Sequence, residues 1–63
     1  METRTIYVPA NRLGRNVLGY IWLHVACSMG DVKRVEDALR VPITLPSREV
    51  IKLEKILQNF NLM

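Results

Sequence analysis

Cysteine is almost missing from this chain: its single copy, Cys27, has no partner for an internal disulfide. With one histidine, His24, it also falls short of the roughly four ligands that a structural zinc site needs. No glycine-rich phosphate loop, nucleophile motif or paired-carboxylate motif occurs. No repeat or low-complexity run is present, and no linker is long enough to divide domains. Long apolar runs are missing too. The oiliest stretch, Val17 to Met29, is interrupted by Gly19, His24 and Ser28. It is well short of the about 20 residues that a bilayer-spanning helix needs. No small-residue cleavage site follows the charged start METRTIYVPANRLGR, so a targeting segment is not expected. These absences predict one small domain over 1–63, with no cofactor, no metal and no enzymatic activity. A lone cysteine and no membrane span point to a cytoplasmic setting.

What is present is apolar bulk. The hydrophobic fraction is 49% and the charged fraction 24%, which suits a folded chain and not a disordered one. Yet a chain near 60 residues buries only about 60% of its unfolded surface, so its core is marginal. Small domains compensate with disulfides, metals or self-association. The first two are excluded here, which leaves association or unusually good packing. The net charge of +3 permits an anionic partner without demanding one.

The pattern along the chain predicts a mainly α, small α+β fold. Thr5, Ile6, Tyr7 and Val8 are strand formers closed by Pro9, which predicts a short strand over 4–8. Asn11 can cap a first helix running from about 12 to 29, with Gly30 as its stop. Asp31 can cap a second helix over 31–40, whose Val32, Val35 and Leu39 recur three and four apart. The two would form a helical hairpin. Pro42 and Pro46 break the helical pattern, so Ile43 to Leu45 reads as a short extended segment. That segment could pair with the first strand within the chain or across a dimer. Ser47 then caps a C-terminal amphipathic helix, with Val50, Leu53, Leu57 and Phe60 on one stripe and Glu49 in its first turn. Asn61 to Met63 form a tail that frays unless something covers it.

The first helix carries apolar residues nearly all round. One arc holds Leu18, Ile21, Trp22, Val25, Ala26 and Met29; another holds Tyr20, Leu23, Cys27 and, nearer the polar seam, Val17. A helix apolar on all sides is a buried helix. Covering both arcs with so short a chain is difficult, and a symmetric dimer is the commonest solution. Tyr20, Trp22, Leu23, Leu62 and Met63 are therefore the expected association residues, because aromatic anchors dominate interfaces. Trp22→Ala is expected to cost about 3–5 kcal/mol if Trp22 is core, and to leave folded monomers if it is an interface anchor. His24 and Cys27, three apart, lack an orienting third group and read as an edge imidazole and a core thiol.

Arg48, Lys52 and Lys55 line the polar side of the last helix, and such a face can track phosphates. The span around Gly30 is similar to a DNA-binding helix-turn-helix unit in its Ala26–Gly30 separation, and PITLPSREVIKLEKIL resembles the strand-then-helix half of a ribbon-helix-helix protein. Over 21–40, Leu23-His24-Val25-Ala26, Gly30-Asp31 and Val35 to Leu39 resemble the helix pair of an ankyrin repeat. That resemblance implies protein binding. The expected function is thus a self-associating protein-protein interaction module, a regulator or inhibitor of the size that phages and mobile elements encode. Its rival is a small dimeric DNA-binding transcriptional regulator that places Arg48, Lys52 and Lys55 on phosphates.

Overall fold

The computed structural model describes residues 1–62. Its elements run β1 (Glu2–Pro9), α1 (Arg12–His24), β2 (Ser28–Met29), β3 (Lys33–Val35), β4 (Ala38–Leu45) and α2 (Ser47–Asn59). The fold is small α+β, 42% helix and 34% strand, so the expected mainly α architecture does not hold. β4 is the central strand. β1 pairs antiparallel along its whole length, from Glu2 opposite Leu45 to Pro9 opposite Ala38. β2 and β3 lie end to end along the other side of β4. β1 and β2 are therefore parallel, joined by α1 and split by β4, the arrangement of a split β-α-β unit.

The two long strands, β1 and β4, follow a period of two where they pack. Ile6 and Val8 of β1, with Val41, Ile43 and Leu45 of β4, point to one face and are buried. Both helices cover that face: Val17 and Ile21 from α1, and Val50, Leu53, Ile56 and Leu57 from α2, join the same cluster. A fully buried side chain such as Ile21 contributes roughly 1.5–3 kcal/mol. Among the described residues no helix packs on the other sheet face.

Helix ends follow local chemistry. The Asn11 side chain accepts from the Gly14 amide at 3.2 Å, as its capping role requires. α1 stops at His24 because Val25 turns extended, and it does not continue to Met29. Val25 and Met29 still reach the core, one from the loop and one from β2, which relieves part of the apolar excess read onto the helix. Ser47 is the first residue of α2; Pro46 stands at the cap position with no side-chain bond. At the far end Asn61 adopts φ 58. The Asn61 amide donates to Gln58 and the Leu62 amide to Leu57, which closes α2 in a Schellman motif. Asn61 and Leu62 are thus held by the chain itself; Met63 lies outside the described residues.

The helix expected over 31–40 is a β-hairpin, so there is no helical hairpin and no ankyrin-like or helix-turn-helix pair. Lys33–Val35 pairs with Ala38–Arg40 around the two-residue turn Glu36–Asp37. Glu36 takes φ 57, the left-handed backbone that tight hairpin turns use. The extended segment expected over 43–45 grows into the eight residues of β4, whose pairing with all of β1 outweighs the helical spacing of Val32, Val35 and Leu39.

Two prolines sit in strands without harm. The Ala10 amide donates to the Asp37 carbonyl, so in β1 the odd-numbered residues direct their amides outward. Pro9 is one of these, at the free edge, where no ladder bond is lost. By the same alternation, Pro42 of β4 would direct its missing amide toward β2. There the partner strand bulges, with Asp31 and Val32 together opposite Val41.

Candidate interaction surface

α1 has an inner and an outer face that differ in what they allow. On the inner face, Gly14 lies so close to the Pro9 carbonyl oxygen that no side chain could fit. On the outer face, a β-carbon added at Gly19 would meet no atom of the described residues within 4 Å. A glycine within a helix costs about 1 kcal/mol relative to alanine, and here no neighbour requires it. Trp22 and Leu23 follow Gly19 by three and four residues, so they stand one turn along on the same side. They are 62% and 78% exposed. The outcome is a stretch of bare backbone flanked by an indole and a leucine side chain.

The other expected association residues are placed differently. Tyr20 stacks on His24, with ring centroids 4.2 Å apart, and meets Phe60 edge-on at 5.8 Å. It links the flank of α1 to the end of α2. Leu62 is half-buried against the core beside Leu57. Tyr20 is itself partly exposed, and Trp22 and Leu23 are the most exposed of the expected association residues among those described.

Arg48, Lys52 and Lys55 are exposed on α2. Lys52 sits 3.4 Å from Glu49, and the exposed Ile51 stands among the three. Glu49 also accepts the Ala26 amide at 3.1 Å, tying the exit of α1 to the first turn of α2. That hydrogen bond, followed by the nearby Lys52 charge, holds its carboxyl below the usual range against partial desolvation. Cys27 is half-buried, and its thiol is pushed up by burial and then by the Glu49 charge. Such a thiol is not an activated nucleophile. Among the described residues no group of three or more His, Cys, Asp and Glu is arranged to hold a metal ion.

The bare sheet face brings together residues that are far apart in sequence. Arg40 on the central strand lies directly opposite Tyr7 on one side and Lys33 on the other. Three strands thus carry one row, Tyr7–Arg40–Lys33. Thr3 and Thr44 share a hydrogen bond of 3.3 Å on the same face. An open depression of about 290 Å³ beside the bulge is lined by Asp31, Lys33, Arg40 and Pro42. Sequence reasoning missed this row because it depends on register through β4, and no short-range spacing signals it. No helix among the described residues is long and apolar enough to cross a membrane.

No family model matches this chain, and neither curated proteins nor solved structures yield a match to it.

Proposed function

We propose that this protein is a non-enzymatic interaction module that associates through the outer face of α1, with a second copy of the chain as the occupant. The observation that carries this reading is Gly19 with Trp22 and Leu23. The core closes without all three, yet two large apolar side chains flank a glycine that nothing among the described residues requires. Close approach of another backbone is the usual reason for a helix-interior glycine. A two-fold axis through this face would seat the Trp22 or Leu23 of each copy over the Gly19 of the other, an isologous contact. The proposed setting is cytoplasmic and the proposed role regulatory, through burial of apolar surface against the second copy and then a protein target.

Trp22→Ala tests this directly. An exposed Trp22 is not a core residue, so the variant should remain folded, losing less than about 1 kcal/mol by chemical denaturation instead of the 3–5 typical of a buried tryptophan. Its self-association should weaken at least about tenfold, since anchors of this type carry much of an interface. A variant that unfolds, or one that self-associates like the parent, would overturn the assignment.

A further inference from the structure

We propose that the bare face of the sheet binds single-stranded nucleic acid, with Tyr7 as the stacking platform and Arg40 and Lys33 as the phosphate contacts. The inference is independent of self-association through α1, which lies on the opposite side of the sheet. Three observations carry it. First, among the described residues both helices pack on one side of the sheet, and Tyr7, Lys33 and Arg40 stand exposed on the other. Second, Lys33 and Arg40 are directly opposite one another. Like charges in that position oppose sheet formation, and among the described residues neither makes an ion pair. Asp31, in the same depression, is the one carboxylate lining it and leaves the pair with a net positive charge. Third, Arg40 is also directly opposite Tyr7, a residue 55% exposed.

The geometry suits a single strand better than a duplex. Adjacent strands lie about 4.8 Å apart, so the row from Tyr7 to Lys33 spans roughly 10 Å. Over that span an unpaired base can stack on the Tyr7 ring while its neighbouring phosphates reach Arg40 and Lys33. Open antiparallel sheets with exposed aromatics recognise unpaired bases this way, and stacking tolerates any sequence because every base has a π-face. A duplex keeps its bases stacked on one another and offers none to Tyr7. Thr3, Thr5 and Thr44 on the same face supply short polar side chains and no charge that would repel a phosphate.

The test is fluorescence anisotropy of end-labelled oligouridine and oligothymidine with the full chain, at about 50 and 200 mM salt. Saturable binding is expected at the lower salt, weakening steeply at the higher. A duplex of matched length should bind at least about tenfold more weakly. Tyr7→Leu should lower affinity by about fivefold or more, whereas Tyr7→Phe, which keeps the ring, should bind like the parent. Lys33→Gln with Arg40→Gln should lower affinity further and flatten the salt dependence by about two contacts. Cooperative thermal unfolding of each variant confirms that it folds, and Trp22→Ala should bind like the parent. Absence of binding at low salt would overturn the proposal. So would equal binding of the duplex, or loss of binding in an Arg48→Gln, Lys52→Gln, Lys55→Gln variant while the sheet variants bind normally.

Discussion

Gly30 donates its amide to the carbonyl of Pro42 across 2.8 Å, and Pro42 has no amide with which to return the bond. The two residues also pack: a β-carbon on Gly30 would sit 2.8 Å from the Pro42 ring. The half-made pairing and the bulge that follows it let a proline occupy the middle strand of the sheet. Gly30→Ala should therefore destabilise the fold by about 1–2 kcal/mol, the usual cost of a forced contact. In a Pro42→Ala background the same change should cost less, since the opposing ring is gone. Denaturant melts of the four chains give the coupling. Additive effects would show that Gly30 and Pro42 do not meet.

Gly14 and Gly19 lie on the same helix and should respond with opposite signs. At Gly14 a methyl group runs into backbone, the Pro9 carbonyl, which cannot rotate away. Gly14→Ala should cost about 3 kcal/mol or more, at the upper end for overpacking, and a domain this small should then be largely unfolded. Gly19→Ala meets open space and should stabilise the monomer by up to about 1 kcal/mol. The same Gly19→Ala change should weaken self-association by filling the notch. Stability measured at low concentration, beside association measured at high concentration, separates the two effects.

Acid should loosen the fold at Glu49. Its folded carboxyl titrates below the ordinary range, chiefly because the Ala26 amide binds the charged form. The unfolded carboxyl, near 4.3, takes up its proton first. The stabilisation is thus full above that value and is lost as pH falls through the folded one. Glu2 acts with the same sign, through its hydrogen bond with Ser47 and the neighbouring Arg4 charge. Thermal melts from pH 7 to pH 2.5 should show Glu49→Gln less stable than the parent at neutral pH, with the two curves converging in acid. A constant gap across that range would contradict the role given to Glu49.

Much of the helical half was legible from local chemistry. The Asn11 cap and the stripe of Val50, Leu53 and Leu57 depend on residues within a few positions of one another, as does the run of strand formers from Thr5 to Val8 in the first strand. The hairpin was not legible. Val32, Val35 and Leu39 keep a helical spacing, and the turn hides because Glu36 stands where glycine usually marks a left-handed residue. Its formation is favoured by the long pairing of β4 with β1, a non-local gain that no window of neighbouring residues contains. The surplus at Trp22 and Leu23 was visible as apolar content without a place to go. The row Tyr7–Arg40–Lys33 exists only once the register is known.

Molar mass in solution decides the main point most directly. Light scattering on the unmodified chain, from low to high micromolar concentration, should rise from the 7.3 kDa of one copy toward twice that value. The rise should be displaced to higher concentration in Trp22→Ala and in Gly19→Ala. A mass that stays at 7.3 kDa throughout would mean that Trp22 and Leu23 stand in water with no second copy to cover them, and the outer face of α1 would not be a self-association surface.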